Sequence, residues 1–323
     1  MGRRWLTFVL LVALALAGAG VMGLRNSYAQ EEPIEVVVVL KATSPQMEFW
    51  QVVRQGIEAA AGEYVVETSV VGPWLEQQVD DQMAILRRVV EQRPDGIIIA
   101  ASDFDRLAEP VEGAIDAGIP VVTVDSDVDS RRVPSFVGTN NFEAGRRAAQ
   151  ALLERVPADA TIAIVSHVPG VATAIEREGG VRSVLEAREA GRTLGPDYAL
   201  NDEARARQIV EDLLRQDVDA IVALNETSTV GVGRAIADLG RAGSVTVVGF
   251  DASTEEVSLL EQGVVQALIV QKPFNMGYLS LRTIADLIRG NAVAGRIDTG
   301  SEVVTVENMY DEEIQQLIFP LVR

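Results

Sequence analysis

The sequence predicts an α/β protein built as two similar lobes, each a doubly wound parallel sheet. Three observations predict it. Short β-branched runs alternate with longer amphipathic segments along most of the chain. The short runs are apolar throughout, the mark of parallel strands covered on both faces. The scheme also occurs twice within 323 residues, a length that suits two domains.

The elements follow in order. Ile34 to Leu40 is a buried-strand pattern. Phe49 to Gly62 reads as a helix, with Phe49, Val52, Val53, Ile57, Ala60 and Ala61 on one face. Val65–Val71 is the next strand, and Leu75–Gln92 a second helix carrying Val79, Met83, Leu86, Val89 and Val90 in line. A strand at Asp95–Ala100, a helix at Leu107–Ala117 and strands at Gly118–Val124 and Ser135–Gly138 complete the first series. The second series has strands at Thr161–Ser166, Ala190–Leu194, Asp219–Leu224, Val245–Phe250 and Val264–Val270. Its helices are expected at Glu143–Arg155, Thr173–Ala187, Glu203–Gln216, Thr229–Leu239, Thr254–Glu261 and Met276–Arg289. A last strand, Glu302–Val306, precedes a short tail.

In open α/β sheets, ligands bind beyond the carboxyl ends of the strands. The segments that follow the strands include Lys41–Ser44, Ala101–Asp103, Asp125–Asp127, Ser166–Thr173, Asn225–Thr227, Asp251–Ser253 and Gln271–Phe274. They are rich in hydrogen-bonding side chains.

Composition removes several classes. The formal net charge is −19, with no Lys/Arg stripe to offset it, so nucleic acid is not an expected partner. The chain has no cysteine, which excludes disulfides, zinc–thiolate sites, cysteine nucleophiles and a lipidated lipoprotein cysteine. No Gly-x-Ser-x-Gly elbow, histidine pair or P-loop occurs, and no cofactor is expected. Gly231-Val-Gly233 matches part of a dinucleotide fingerprint but lies inside a predicted helix and lacks the third glycine. Nothing in the carboxylate spacing singles out a glycosidase pair. The expectation is a binding protein rather than an enzyme.

The first residues form a secretory pattern. Met1–Arg4 is basic, Leu6–Leu24 is uncharged and mostly apolar, and Ser27-Tyr28-Ala29 supplies small residues where signal peptidase reads. Residues 1–29 are therefore read as a signal peptide. Export to a periplasmic or extracellular location follows. An uncleaved anchor is the rival, because the run could just span a bilayer.

Ordered motifs then carry a resemblance. Val38-Val-Leu-Lys-Ala-Thr-Ser-Pro-Gln-Met-Glu-Phe-Trp50 with Gly56, Pro94–Ile99 and Gly118–Asp125 resemble the periplasmic sugar-binding proteins of ABC transporters, the ribose-binding type, which share their fold with LacI effector domains. Val137–Gly145, Ala223-Leu-Asn225, Val247–Asp251 and Gln271-Lys-Pro273 continue the match almost to the end. The resemblance implies two lobes joined by three hinge crossovers, 34–138 plus 272–300 and 139–271 plus 301–323. It implies a monomer that closes on a sugar or polyol and hands it to the membrane permease of an ABC transporter. A sensory protein reporting a sugar or furanosyl signal to a membrane receptor or kinase is the alternative. A repressor is excluded, since a signal peptide occupies the place of its DNA-binding domain.

The site residues follow from the same match. Asp125 ends an apolar strand, and a carboxylate accepts paired hydrogen bonds from vicinal hydroxyls. Asn225 and Asp251 each follow a strand; Asn both donates and accepts, although Asn225 could equally cap the next helix. Gln271 falls at a hinge. Phe49 and Trp50 align with the family's aromatic pair, one expected to stack on the sugar and the other to be buried. Lys41 follows the first strand as a donor. His167, the sole histidine, is expected to be structural or solvated, with a ligand contact as the lesser option. Ser126, Met47 and Ile175 depart from the ribose pattern, with Arg177 two residues beyond Ile175 and Asn201 at an aromatic position. These departures argue for a sugar or polyol other than ribose.

Overall fold

The computed structural model describes residues 33–319, so the expected signal peptide lies outside the described residues. Two six-stranded sheets form the molecule. The first contains β1 (Ile34–Val39), β2 (Val66–Val71), β3 (Gly96–Ile99), β4 (Val121–Val124), β5 (Ser135–Gly138) and β11 (Arg296–Asp298). Its order is β2-β1-β3-β4-β5-β11, all parallel. The second contains β6 (Thr161–Ser166), β7 (Arg192–Tyr198), β8 (Ala220–Ala223), β9 (Thr246–Phe250), β10 (Ala267–Gln271) and β12 (Ser301–Val304). Its order is β7-β6-β8-β9-β10-β12, with only β12 antiparallel.

Both sheets are buried on both faces, which is why their central strands read as continuous apolar runs. Successive side chains leave a strand on opposite sides. Val36 and Val38 pack with α1 (Glu48–Tyr64) and α9 (Pro273–Ile288), whereas Val37 and Val39 pack with α2 (Val79–Gln92) and α3 (Ala108–Asp116). In the second sheet, Ile162 and Ile164 face α4 (Asn141–Leu153) and α5 (Ala172–Leu185). Ala163 and Val165 face α6 (Glu203–Leu214), α7 (Glu226–Asp238) and α8 (Thr254–Glu261), with Ile318 of α10 (Glu312–Ile318) in the same cluster.

The lobes repeat even in their closest helix contact. A Cβ added at Gly56 of α1 would lie 2.0 Å from the Phe274 carbonyl oxygen, and one at Gly277 of α9 2.0 Å from that of Val53. In the second lobe, a Cβ at Gly145 of α4 would lie 2.2 Å from the Arg177 oxygen and one at Gly180 of α5 2.0 Å from that of Phe142. Only glycine lets these backbones approach so closely.

The chain passes between sheets three times: after β5, after β10, and between β11 and β12. These crossings put the carboxyl ends of both sets of strands on one interlobe cleft. Gly231 and Gly233 lie inside α7, as expected. No helix among the described residues is long and apolar enough to cross a membrane.

Several boundaries differ from the sequence expectation, each for a local reason. β7 runs to Tyr198 rather than ending at Leu194; it is a half-exposed edge strand with a register shift, and edge positions tolerate its Pro196. α7 starts at Glu226, three residues early, because Asn225 caps it. α9 starts at Pro273, whose fixed φ suits a first helical turn. Leu75–Gln78 precedes α2 as a turn. β11 and α10 were not expected: three and seven residues are too short to show a period.

Candidate functional site

The cleft is built from equivalent slots in the two sheets. Asp125 directly follows β4, and Asp251 directly follows β9. Both strands hold the fourth place in their sheet order. Both aspartates have positive φ, 60° and 79°, a region that aspartate tolerates better than most side chains.

All seven residues expected at the site line one cavity: Lys41, Phe49, Trp50, Asp125, Asn225, Asp251 and Gln271. Lys41 Nζ donates to Asp125 Oδ2 at 2.7 Å, and both side chains are buried. Gln271 Nε2 donates to Asp251 Oδ1 at 2.7 Å. The second oxygen of Asp251 accepts the Glu226 amide at 3.0 Å. Burial pushes the Asp251 carboxyl above its ordinary range, against the pull of Arg177 and of the Gln271 bond. Gln271 Oε1 is buried and has no hydrogen-bond partner among the described residues.

Asn225 caps a helix and also lines the cavity. Its Oδ1 accepts the Ser228 amide as the cap of α7, and its Nδ2 donates to Asn201 Oδ1 at 3.0 Å while the side chain lines the cavity. One amide proton and one lone pair remain for another partner. Trp50 is buried, with its indole N–H donated to Glu76 Oε1 at 2.9 Å. Phe49 is half-buried and meets Trp50 edge-to-face at 5.0 Å. Lys41 Nζ lies 5.7 Å from the Trp50 ring centre, a cation–π distance.

Six further residues line the same cavity: Met47, Glu76, His167, Thr173, Arg177 and Glu226. Arg177 stands out among them. Counting along the chain puts Ile175 at the arginine position, yet Ile175 is 52% exposed and Arg177 only 2%. Arg177 Nε donates to Asn141 Oδ1 at 2.8 Å and Nη1 to the Leu224 carbonyl at 2.7 Å. Its guanidinium lies 4.5 Å over the Phe250 ring. An arginine, Arg177, is therefore present in the cleft, while Ile175 is exposed.

His167 is buried rather than solvated. Its Nε2 is 3.1 Å from Thr173 Oγ1, and Nδ1 has no partner among the described residues. Burial, then the nearby Arg177 and Lys41 charges, hold its pKa well below the usual histidine value, so the ring stays neutral. Glu76 and Glu226 gave no signal in sequence: Glu76 falls in the first turn of an expected helix, and Glu226 in a segment that follows an expected strand.

The cavity holds only about 30 Å³, room for a water or two. Its donors and acceptors are folded onto one another, Lys41 on Asp125 and Gln271 on Asp251. A polyhydroxylated guest can exchange partners with these pairs, since each hydroxyl both donates and accepts.

Two α/β lobes with a cleft of convergent polar and aromatic side chains define a hinged binding protein of the periplasmic type. The periplasmic binding protein domain matches residues 36–292, and the chain belongs to that family. It is 26% identical over 282 residues to the D-allose-binding periplasmic protein of Escherichia coli, covering 84% of this chain and 90% of that protein. It is 23% identical to the ribose import binding protein of Bacillus subtilis, over 84% of this chain and 88% of that one. Among solved structures, a carbohydrate transporter solute-binding protein from Agrobacterium radiobacter in complex with D-arabinose aligns with a TM-score of 0.86 and 28% identity. That alignment covers 90% of this chain and 100% of that one. An ABC transporter solute-binding protein from Agrobacterium vitis with bound D-fucose aligns with a TM-score of 0.84 and 31% identity, over 88% and 100%.

Proposed function

We propose that this protein is an exported solute-binding protein that captures a monosaccharide or polyol in the interlobe cavity and delivers it to the permease of an ABC transporter. The convergence of Lys41, Phe49, Trp50, Asp125, Asn225, Asp251 and Gln271 on one cavity carries this reading. In it, Asp125, Asn225, Asp251 and Gln271 bond sugar hydroxyls, Lys41 donates alongside Asp125, and the half-buried Phe49 packs on the apolar face of the ring with the buried Trp50 supporting it. Arg177 and His167 add donors and acceptors from the second lobe. The moving bodies are 34–138 plus 272–300 and 139–271 plus 301–323, hinged at the three crossings. The protein works as a monomer in the periplasm or outside the cell, and it performs no catalysis.

Related binding proteins carry arabinose and fucose, or are named for ribose and allose, so these four sugars head the test panel. Tagatose and linear polyols complete it. Binding raises the melting temperature by mass action, and calorimetry then gives the affinity. At least one panel member is expected to bind. Failure of every sugar and polyol to shift melting at millimolar concentration overturns the assignment.

A further inference from the structure

Helix α1 begins without a cap of its own. Met47 occupies its N-cap position and its side chain makes no capping bond. The first amides of a helix need acceptors, and here they come from the other lobe. Glu48 N donates to Glu226 Oε1 at 3.1 Å, and Phe49 N to Glu226 Oε2 at 3.1 Å. Glu226 is the first residue of α7, which packs on the second sheet. The contact is reciprocated. Glu48, the first residue of α1, accepts with Oε2 from both the amide and the hydroxyl of Thr254, each at 3.1 Å. Thr254 opens α8, also on the second sheet.

We propose that Glu226 and Glu48 form a reciprocal latch, each carboxylate capping a helix of the opposite lobe, and that this latch sets how readily the cleft closes. The inference rests on the hinged-closure reading above. It makes both glutamates positioning residues: they act on the ligand by holding the lobes together around it. Two amides reach Glu226, one on each oxygen, and one amide and one hydroxyl reach Glu48, so each contact is directional. Both contacts connect groups on different lobes, so parting the lobes breaks them together.

The latch also takes up a proton. Burial, then the adjacent Asp251 carboxylate, push Glu226 from 4.5 to about 8, while the α1 amides pull it down. Glu48 and Asp251 face it directly, and Glu256 of α8 belongs to the same acidic group, itself raised by burial. Across the cavity stand Lys41, Glu76, Asp125, His167 and Arg177. Opening returns Glu226 to water and to its ordinary range, so the closed form binds more protons. Its contribution to closure is full below about 4.5 and is lost as pH rises through about 8. Closure, and any sugar affinity that depends on it, falls with rising pH by at most about tenfold per unit in that window. The carbonyl oxygen of the neutral acid still accepts from the α1 amides, so protonation retains part of the latch.

The absence of cysteine makes a direct test simple. Cysteines introduced at the exposed positions Ala59 and Ala187 place one fluorophore on each lobe. Interlobe energy transfer is then read without any sugar from pH 5 to pH 9. The wild-type background is expected to open as pH rises. Glu226→Ala should read more open than wild type throughout, and Glu226→Gln should weaken the pH dependence, leaving what Asp251 and Glu256 contribute. Glu48→Ala, which removes half the latch and leaves Glu226 in place, should open partially and keep the pH dependence; it decides the matter if Glu226→Ala does not fold. Where a sugar ligand is in hand, Glu226→Ala should weaken it about tenfold or more. Wild-type energy transfer and pH profile in Glu226→Ala, or in Glu48→Ala if that variant must stand in, overturns the latch. Failure of the sugar assignment shows separately, as a pH-dependent closure that no sugar alters.

Discussion

Replacing Asp125 by alanine tests the site and its energetics together. The carboxylate is the sole hydrogen-bond partner of the Lys41 ammonium among the described residues, at 2.7 Å, and both side chains are nearly inaccessible. Removing one partner of a buried pair leaves the other charge uncompensated, a penalty of about 3–5 kcal/mol in a closed interior. Here the pair borders a cleft, so Lys41 can swing toward water, and the lower end of that range, about 3 kcal/mol, is expected. For lobes of this size that is a fall in melting temperature of about 10 °C. The double variant Lys41→Met/Asp125→Leu replaces the pair with apolar groups of similar volume and should recover most of the loss, to within about 1 kcal/mol of wild type. Sugar binding should fail in both variants, because the recovery restores packing and not the carboxylate. Thermal denaturation measures the first effect and calorimetry the second. An Asp125→Ala protein that melts with wild type would show that Lys41 carries no buried charge. A double variant that binds sugar with wild-type affinity would remove Asp125 and Lys41 from the site.

Other perturbations give sharp expectations. Asn225→Ala should cost about 1 kcal/mol of stability as a lost helix cap and a further 1–3 kcal/mol, roughly, in sugar affinity, separable by denaturation and calorimetry. His167 should show no NMR titration between pH 8 and 5.5, since burial and the Arg177 charge hold it neutral; a midpoint near 6.5 contradicts the described environment. Its lowered folded value means that this group's contribution to stability is present above its unfolded pKa of about 6.5 and is lost below it. Gly180→Val places side-chain atoms where a Cβ alone meets the Phe142 carbonyl at 2.0 Å, so a loss of at least about 3 kcal/mol in chemical denaturation is expected. Arg234→Ala, by contrast, breaks exposed pairs with Glu203 and Glu255 and should cost under about 1 kcal/mol.

Most of the fold was legible because its signal is redundant. Each central strand is buried on both faces and each helix has one apolar face, so period and composition agree. The edges were less legible: β11 was not expected, and β7 was expected only as far as Leu194. Its Gly-Pro-Asp-Tyr end is half-exposed, and nothing in those residues distinguishes strand from loop until β6 supplies a partner. The site divided in the same way. Residues that end an apolar strand, such as Asp125 and Asp251, were found because a polar side chain after a buried run is conspicuous. Arg177 was passed over because its place was sought by position along the chain. It sits in the second turn of α5, and its length and helical direction, not its number, bring it to the cleft. Glu226 was invisible for another reason: an acid at the start of a helix is common, and only the closed cleft shows that the helix it caps is not its own.

The two aspartates show how one backbone device serves unequal chemistry. Both follow the fourth strand of their sheets in the left-handed region. Asp125 is met by the Lys41 ammonium, while Asp251 is met by the neutral Gln271 amide and the Glu226 N–H. Burial already raises the Asp251 carboxyl, and the Gln271 amide offsets part of that cost. Gln271→Leu should raise the Asp251 pKa further by removing a donor. Carboxyl-carbon NMR titration of Asp251 reads the shift. If Gln271→Leu leaves Asp251 titrating as in wild type, the Gln271 amide is not what offsets its burial, and the asymmetry between the lobes has another origin.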